Sequence, residues 1–457
     1  MSVYTSIIGA GITGLSTSYH IGHNRCRIFE KSPIHGGHAG TDVRMGFTMD
    51  RGPHVSFTKS EYVRNLFSEN VGGDFKEIAV TIKNFHKDRW INHPPQCHLW
   101  QIAEPLRDQC AVEMIASFDI PQARNPENYQ EWLHMCFGST FAEEFPESYT
   151  KKYWTVSANE LSCDWIGPRM VRPSKDEVNH GLIPDTYHSK HYISKIRYPF
   201  QGGFQSFFNN LSKGADIKVN KHLTSIDLDK QELHFSDGFV ENYERIISTI
   251  PLPEFVAACK QASPEVMKAA SQLDCSQVFL VDVFVPSPAK VEGNWFYIYD
   301  LDKISTRIHY LERLSENNVA KGWSGIQVEV YYSKYKPFAD NPEQIIETVI
   351  SELEIMGFIE SSVIKNKEYL TQWRWCNNAN IIFTHRRITS LNTIWSWLEN
   401  YGLRRSQYDL DPTIDWSNPI EPSGKIAMAG RYAEWKYMWT DDCILRGKSL
   451  AESVSLH

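Results

Sequence analysis

The sequence predicts an α/β fold with two sheets, a parallel sheet begun by the first residues and an antiparallel sheet in the second half of the chain. Three observations support this prediction. Residues 3–30 contain, in order, a short apolar run, a glycine-rich turn, a helix-like stretch and a second apolar run. Residues 86–195 are rich in Trp, Tyr, Pro and His and lack the alternation typical of strands. Short apolar or alternating runs then recur from residue 216 to residue 332, separated by turn residues.

The N-terminal segment has the order of a βαβ unit, which belongs to a parallel sheet. Residues 3–8 and 25–30 are predicted strands, and residues 12–21 are a predicted helix. The first turn carries a G-x-G-x-x-G motif in the residues Gly9, Gly11, Ile12, Thr13 and Gly14. Gly9 permits a tight turn, Gly11 lets the backbone approach a pyrophosphate, and Gly14 lets the helix pack on the sheet. Because the helix N-terminus offers free N–H groups to phosphates, we expect a dinucleotide here.

The end of the second strand and the segment after it argue against a nicotinamide dinucleotide at this site. Glu30 stands where a carboxylate accepts hydrogen bonds from a ribose 2′-OH, and a carboxylate there disfavours the 2′-phosphate of NADP. A nicotinamide enzyme usually continues directly into its next helix, whereas this chain has a second glycine pair. The residues concerned are Lys31, Gly36, Gly37, His38 and Ala39. A metal site at His35 and His38 is not expected, because no third ligand stands nearby.

Later runs predict the remaining elements. Residues 216–250 have the pattern of a β-meander, and four runs after residue 277 predict the antiparallel sheet. The meander runs are 217–219, 223–228, 232–235 and 245–250, and those of the sheet are 278–285, 295–299, 306–311 and 326–332. Two helices are predicted, one at 342–356 capped by Asn341 and one at 388–401 ended by Gly402.

Composition and charge exclude several classes of protein. A chain of 457 residues is too long for one core, so two or three domains are expected. The net charge of −8 argues against a nucleic-acid partner, and the absence of an apolar run of about 18 residues argues against a membrane span. Nine cysteines, never spaced C-x-x-C, fit free thiols in a reducing compartment. Residues 1–4 lead directly into a strand, so a cytoplasmic protein without a cleavable signal is expected, and no pattern specifies an oligomeric state.

The G-x-G-x-x-G turn is followed by Glu30-Lys31 and then by Gly36-Gly37. In this arrangement the chain resembles the flavin superfamily that includes monoamine oxidases, protoporphyrinogen oxidases and UDP-galactopyranose mutases. The resemblance implies an FAD cofactor whose ADP half lies on residues 9–14 and Glu30 and whose flavin lies near residues 36–39. It also implies an adenine contact from the meander, at Leu223 and Thr224.

These patterns together predict a chain of three parts. The first is a discontinuous, Rossmann-like FAD-binding domain formed by residues 1–85, 196–255 and 420–457. The second is a helical insertion on the substrate side, residues 86–195, and the third is an antiparallel-sheet substrate domain, residues 256–419.

Three further segments resemble the mutase branch of this superfamily. They are residues 50–57 (D-R-G-P-H-V-S-F), residues 145–154 (F-P-E-S-Y-T-K-K-Y-W) and residues 305–308 (S-T-R-I). The first is similar to a segment whose histidine lies against the flavin, and the last to one that carries a substrate arginine. The resemblance implies that His54 lies at the flavin and that the substrate is contacted by Phe145, Tyr149, Trp154 and Arg307.

The same side chains have functional and ordinary interpretations. Phe145 and Tyr149 stand four residues apart, so on a helix they would share a face and could sandwich a uracil ring, although such pairs are also common in cores. Arg307 and Arg169 can each clamp a diphosphate with a bidentate fork, or form a surface salt bridge. His54 can equally be a structural histidine.

A C-terminal segment resembles the mutase pattern G-R-x-x-E-Y-K-Y followed by Asp, in Gly430, Arg431, Glu434, Tyr437 and Asp441. By this resemblance Arg431 approaches the flavin and Tyr437 a substrate diphosphate. The candidate catalytic residues are then His54, Arg307 and Tyr437. The last helix would begin at the flavin with Asp441, Asp442, Cys443 and Ile444. A helix N-terminus there stabilises negative charge.

Two functions remain open from the sequence. One is isomerisation of a small-molecule substrate, a nucleotide-activated sugar such as a UDP-sugar, by reduced flavin, which needs positioning and a diphosphate clamp more than acid–base residues. The other is an oxidase or dehydrogenase, because residues 277–286 (Q-V-F-L-V-D-V-F-V-P) look more like an amine or protoporphyrinogen oxidase. No second substrate arginine is found near residues 275–300. The aromatic-rich middle segment argues for a substrate pocket and against a non-enzymatic flavoprotein.

Overall fold

The structure, a computed structural model, describes residues 4–119, 125–167, 170, 172–184, 194–339, 341–413 and 424–455. Its strands are β1 (Thr5–Ile8), β2 (Cys26–Phe29), β3 (Thr41–Arg44), β4 (Phe47–Asp50), β5 (Phe75–Ala79), β6 (Ile82–His86), β7 (Arg89–Asn92), β8 (Lys195–Pro199), β9 (Ile217–Lys218), β10 (Leu223–Asp227), β11 (Glu232–Phe235), β12 (Val240–Asn242), β13 (Arg245–Ser248), β14 (Gln277–Val285), β15 (Trp295–Ile298), β16 (Arg307–Tyr310), β17 (Ser324–Tyr332), β18 (Leu370–Cys376) and β19 (Ile426–Met428). Its helices are α1 (Ile12–Ile21), α2 (Glu61–Asn70), α3 (Leu106–Ala116), α4 (Tyr129–Phe137), α5 (Ser139–Ala142), α6 (Ser148–Tyr153), α7 (Lys175–His180), α8 (Leu252–Ala258), α9 (Pro264–Ser271), α10 (Leu311–Leu314), α11 (Pro342–Ile355), α12 (Ser361–Lys365), α13 (Arg387–Glu399) and α14 (Thr440–Ser455).

A five-stranded parallel sheet has the N-terminal strand at its centre, in the order β19-β13-β1-β2-β9. β1 pairs in parallel with both β2 and β13, and α1 connects β1 to β2, which confirms the predicted βαβ unit. The sheet takes its strands from three separate stretches of chain, residues 5–29, 217–248 and 426–428. These stretches fall within the three parts predicted for the discontinuous domain, and the division into three domains stays a prediction.

The last helix, α14, packs along α1 and starts at the same end of the parallel sheet. The Ser16 hydroxyl on α1 donates a hydrogen bond to the carbonyl of Ile444 at 2.7 Å. A Cβ at Gly447 would lie 2.7 Å from the Cβ of Ser16, so glycine allows the two helices to approach this closely. Thr13, one turn earlier on α1, lies beside Cys443 and Gly430. The helices therefore run parallel, and their N-termini share one space.

The segment predicted as one meander is divided between two sheets. β10, β11 and β12 form a three-stranded antiparallel sheet, as expected, but β9 and β13 pair in parallel with β2 and β1. The first and last runs were therefore assigned to the wrong sheet. The apolar strand β13 is buried at all four positions, and a strand covered on both faces belongs to a parallel sheet rather than to a solvent-facing meander.

A seven-stranded sheet forms the second layer, in the order β18-β14-β17-β16-β15-β6-β7. Its strands β14 to β18 pair antiparallel, which confirms the second sheet expected after residue 277. β6 joins it by a parallel pairing with β15, and β7 follows antiparallel. These two strands lie across the predicted boundary at residues 85 and 86, and the rest of the described part of residues 86–195 contains the helices α3 to α7, as expected.

The two faces of this sheet have different partners because side chains alternate along each strand. On β14, Phe279, Val281 and Val283 pack against α11 in one apolar cluster. The predicted cap of α11 is present, since Asn341 accepts a hydrogen bond from the N–H of Gln344 at 2.8 Å, and the Gln344 side chain accepts one from Asn341, which completes a capping box. The other face carries Leu280 and the polar residues of β16 and β17. That face is turned toward the parallel sheet.

One side chain of the second face, His309 on β16, is buried, and neither ring nitrogen has a hydrogen-bond partner among the residues that the structure describes. Its ring stacks on Trp295 with centroids 5.3 Å apart. Burial first, and then the charges of Arg307 and His54, lower the pKa of His309 to about 3. Folding therefore holds this histidine neutral at pH values where the unfolded chain protonates it.

Replacing this histidine, His309→Leu, is expected to make the protein more resistant to acid. The folded pKa is depressed, so the unfolded state binds an extra proton below about pH 6.5 and stability is lost as the pH falls from there toward 3. At pH 4.5 the loss amounts to about 2–3 kcal/mol, at about 1.4 kcal/mol per pH unit. Urea unfolding of the wild type and the variant at pH 7.5 and 4.5 measures the free energy of unfolding at each pH. The exposed His385→Leu is the control, and equal pH dependence in wild type and His309→Leu would contradict the prediction.

Candidate active site

A cavity of about 770 Å³ lies between the parallel sheet and the polar face of the seven-stranded sheet. Most of the residues singled out from the sequence line it. They are Gly9, Gly11, Ile12, Thr13, Glu30, Lys31, Gly36, Gly37, His38, Ala39, His54, Tyr149, Trp154, Arg307, Gly430, Arg431, Tyr437 and Cys443. Residues far apart in the chain thus meet in one continuous space, with the glycine turn at one end and Arg307 at the other.

Two glycine segments lie side by side at the nucleotide end. Gly9 has φ +101°, and a Cβ on Gly14 would lie 2.1 Å from the carbonyl oxygen of Gly9, so α1 can start only with glycine at both positions. The N–H of Gly36 donates to the carbonyl of Ala10 at 2.9 Å. A Cβ on Gly37 would lie 3.0 Å from the Cα of Gly11. Backbone, not side chain, therefore forms this wall of the cavity.

Glu30 is fixed beside this wall. Its Oε2 accepts a hydrogen bond from the N–H of Ala10 and its Oε1 accepts one from the N–H of Ser32, both at 2.8 Å. Each carboxylate oxygen can accept a further bond, so the group remains able to receive the hydroxyls of a ribose. Lys31, the next residue, forms an exposed ion pair with Glu254, with Nζ 3.3 Å from Oε2.

Two histidines lie between the ends of the cavity and are neutral at physiological pH. Burial, followed by the charges of Arg431 and Lys31, lowers the pKa of His38 to about 4. Burial likewise lowers the pKa of His54 to about 4. The Nδ1 of His54 lies 2.8 Å from the carbonyl oxygen of Gly52, and a carbonyl can only accept. Nδ1 therefore carries the hydrogen, and Nε2 is an acceptor in the cavity wall.

The C-terminal segment brings a helix N-terminus and an arginine to the same wall. α14 begins at Thr440, as the sequence predicts, and Thr440 and Cys443 line the cavity. The side chains of Asp441, Asp442 and Ile444 are not part of the lining, and Asp442 instead accepts a hydrogen bond from the N–H of Trp439 at 2.8 Å. The cap therefore orders the start of the helix, while its N–H groups face the cavity.

Arg431 lies half-buried at this wall and has no carboxylate partner among the described residues. Its Nη1 donates to the carbonyl of Met438 at 2.9 Å, and its Nε is buried with no hydrogen-bond partner in the part of the chain that the structure describes. The guanidinium carbon lies 4.9 Å from the ring centroid of Tyr437. Since removing part of a cation from water without a counter-charge is costly, this arrangement favours an anion in the cavity.

Arg307, at the far end, has a carboxylate partner that the sequence analysis missed. Its Nε lies 2.5 Å from Oε2 of Glu329, and its Nη2 lies 2.8 Å from Oε1. The hydroxyl of Tyr331 donates to the same Oε2 at 2.8 Å. Burial lowers the pKa of Arg307, but Glu329 outweighs it and raises the pKa well above the ordinary value. The polar residues at every second position of β17, Gln327, Glu329 and Tyr331, were the signal that could have revealed this group.

The structure does not bring Phe145 to the cavity beside Tyr149. A π-helical turn, Glu143–Glu147, with Pro146 inside it, changes the phase between them, so the spacing of four no longer gives one face. Phe145 is fully buried and stacks on Phe141 with centroids 4.7 Å apart. Tyr149 lines the cavity, and within the described residues its buried hydroxyl has no hydrogen-bond partner. Trp154 lines it too and donates from Nε1 to the carbonyl of Ile381 at 3.2 Å.

Two other expected contacts, Leu223 and Thr224, are not part of the cavity lining. Leu223 and Thr224 lie on β10, and the Thr224 hydroxyl donates to the carbonyl of His234 at 3.0 Å, so the three-stranded sheet uses it internally. Arg169 lies outside the described residues.

Within the described residues, no group of three His, Cys, Asp or Glu side chains is placed to hold a metal ion. No described helix has the length and apolar character that a bilayer crossing needs.

The nucleotide end fits the ADP half of FAD. A Cβ placed on Gly11 would meet only the Cα of Gly37, at 4.0 Å, so the space in front of Gly11 is open toward the cavity. That space lies at the N-terminus of α1, where N–H groups and the helix dipole attract phosphate. Glu30 stands beside it with acceptor capacity for a ribose. The donor and acceptor groups present are those that a dinucleotide requires.

Gly11→Ala and Gly14→Ala are expected to separate binding from folding. The methyl group that Gly11→Ala adds would project into open space, so this variant should fold. It should lose about 1–3 kcal/mol of FAD binding, because the methyl group overlaps the position of the pyrophosphate. The methyl group that Gly14→Ala adds would collide with the Gly9 carbonyl, so that variant should lose stability even without FAD. Fluorescence titration with FAD and thermal unfolding of the apoprotein measure the two effects. Unchanged FAD affinity in Gly11→Ala would contradict this assignment.

Comparison with solved structures shows the same fold over the whole chain. A crystal structure of reduced UDP-galactopyranose mutase matches with a TM-score of 0.87 and 21% identity, covering 100% of this chain and 95% of that one. A candidate protoporphyrinogen oxidase from Exiguobacterium sp. 255-15 matches with a TM-score of 0.72 and 16% identity, covering 100% and 99%. A putrescine oxidase variant matches with a TM-score of 0.65 and 13% identity, covering 100% and 99%.

The family model described as flavin containing amine oxidoreductase matches residues 12–455. This span contains the start of α1, the polar face of the seven-stranded sheet and the N-terminus of α14, which together enclose the cavity. The chain therefore belongs to the flavin containing amine oxidoreductase family and is an FAD-dependent enzyme.

Proposed function

We propose that this flavoenzyme acts on a nucleotide-activated sugar and isomerises its ring with the flavin reduced, as expected for a relative of the UDP-galactopyranose mutases. The observation that carries the proposal is Arg431, a half-buried arginine that lines the cavity with its Nε buried and has no carboxylate partner in the described part of the chain. The diphosphate of a nucleotide or the negative charge of reduced flavin supplies the missing counter-charge. The likeness to reduced UDP-galactopyranose mutase over the whole chain supports the same proposal.

In this proposal the protein contributes binding and orientation rather than acid–base groups. FAD supplies the covalent and redox chemistry when bound. The backbone of residues 9–14 and 36–39 with Glu30 holds the cofactor, and Lys31, Gly430 and the start of α14 at residues 441–444 complete its binding site. Tyr437 and Arg431 receive the diphosphate, Tyr149 and Trp154 form the aromatic wall, and neutral His54 offers an acceptor at the flavin. Fixing reactants in this way accounts for much of the rate in such enzymes.

A second candidate is an oxidase or dehydrogenase of an amine or alcohol. It is favoured by the pairing of Arg307 with Glu329, which neutralises the arginine that was expected to clamp a diphosphate. It is also favoured by β14, whose residues Val278 and Leu280 give the cavity an apolar wall. A small uncharged or cationic substrate would fit such a wall.

The direct test uses full-length protein with FAD bound, reduced with dithionite under anaerobic conditions and incubated with UDP-hexoses. Chromatography of the products is expected to show a ring isomer with the reduced enzyme and none with the oxidised enzyme. The proposal fails if UDP-sugars neither bind nor change the flavin spectrum. Hydrogen peroxide formed during aerobic turnover of an amine or alcohol would then establish the second candidate.

Arg307→Ala is expected to weaken binding of a UDP-sugar by about 2 kcal/mol or more, because a buried charged contact is removed. Isothermal titration calorimetry measures the change. The control is Arg27→Ala, which removes an arginine that pairs with Asp216 on the parallel sheet and does not line the cavity. An unchanged Kd in an Arg307→Ala protein that keeps its flavin spectrum would remove Arg307 from the site.

A further inference from the structure

Glu329 and Arg307 form one rigid polar unit at the end of the cavity away from the glycine turn. The two residues are directly opposite each other in the register of β16 and β17, so their side chains leave the sheet together. Both N–O contacts of the bidentate pair are short, at 2.5 and 2.8 Å, and the Tyr331 hydroxyl adds a third bond at 2.8 Å. Glu329 is 2% exposed and still lines the cavity. Its orientation is therefore fixed before any ligand arrives.

The charge of this unit does not suit a diphosphate. The carboxylate cancels the charge of the guanidinium, and two of the three guanidinium nitrogens already donate to it. A phosphate oxygen brought against Arg307 would lie within a few ångströms of the Glu329 carboxylate, and at low dielectric two negative charges repel strongly at that distance. The uncompensated cation at the cavity wall is Arg431, which has no carboxylate partner among the described residues.

Neutral hydroxyl groups match the same unit. Each oxygen of Glu329 can accept a further hydrogen bond, and Arg307 keeps N–H groups that can donate. Two nearby groups of the cavity wall, the Tyr149 hydroxyl and Trp295 Nε1, are buried and have no hydrogen-bond partner among the described residues. The Arg307 guanidinium lies 5.5 Å from the ring centroid of Trp295, so these groups converge. A hydroxyl both donates and accepts, and a polyol can satisfy several of these atoms together.

We propose that Glu329 and Arg307 together bind the hydroxyl groups of the sugar, and that Glu329 is the residue by which the site selects a nucleotide sugar over the bare nucleoside diphosphate. This inference rests on the proposed function and specifies where the substrate lies within the site. The diphosphate then binds at Arg431 and Tyr437, and the sugar lies between that point and β17. Glu329 acts by contact with substrate and by holding Arg307 in place.

The test compares the binding of UDP and of a UDP-hexose to the FAD-loaded wild type and to Glu329→Gln. The amide removes the negative charge and frees the guanidinium, so UDP-hexose binding should weaken while UDP binding stays equal or strengthens. The ratio of the two Kd values should shift by about tenfold, as expected for the loss of one buried hydrogen bond to a charged group. Titration calorimetry measures both ligands on one preparation.

A second variant keeps the test decisive if Glu329→Gln folds poorly. Tyr331→Phe removes only the hydroxyl that orients Glu329 and should shift the same ratio in the same direction by a smaller factor. An equal gain for UDP and UDP-hexose in Glu329→Gln would show that Arg307 holds the diphosphate and would overturn the inference. An unchanged ratio in both variants would also overturn it. Failure of the wild type to bind either ligand would instead refute the proposed function, and this inference with it.

Discussion

The close approach of two glycine segments is the contact on which the rest of the site depends. Gly9 and Gly14 let α1 begin directly on the end of β1, and a Cβ on Gly37 would lie only 3.0 Å from the Cα of Gly11. The result is a wall of backbone N–H groups at a helix N-terminus. Every other feature of the nucleotide end follows from it, since Glu30 is fixed by the N–H of Ala10 within the same turn. Bulk at Gly11 would fill the space that faces the cavity, whereas bulk at Gly14 would disturb the start of α1 itself.

The C-terminal helix, from a distant part of the chain, brings a second helix N-terminus to the same wall. α14 reaches the wall because Gly447 lets it pack against Ser16 of α1. Its N-terminus and Arg431 thereby come to the same cavity as the N-terminus of α1. Two helix N-termini and Arg431, which has no carboxylate partner among the described residues, therefore lie at the same wall, while the guanidinium of Arg307 is neutralised by Glu329. This uneven distribution of charge gives the two ends of the cavity different chemistry.

The sequence was most informative where function depends on local geometry. The glycine turn, Glu30 and the cap of α11 were each predictable, because a few neighbouring residues determine them. Phe145 was misplaced because a π-helical turn shifts the helical phase, which a spacing of four cannot reveal. β9 and β13 were assigned to the wrong sheet because pairing partners more than 180 residues away decide between parallel and antiparallel sheets. Glu329 was missed because its role arises only from its register with Arg307.

The central claim is that the backbone wall at Gly9–Gly14 and Glu30 recognises the ADP half of FAD. Fluorescence titration of the apoprotein with FAD and with FMN, which lacks that half, tests it most directly. We expect FMN to bind at least about 100-fold more weakly than FAD, equivalent to ~3 kcal/mol, and ADP to compete with FAD. Equal affinities for FMN and FAD, with no competition by ADP, would contradict the claim.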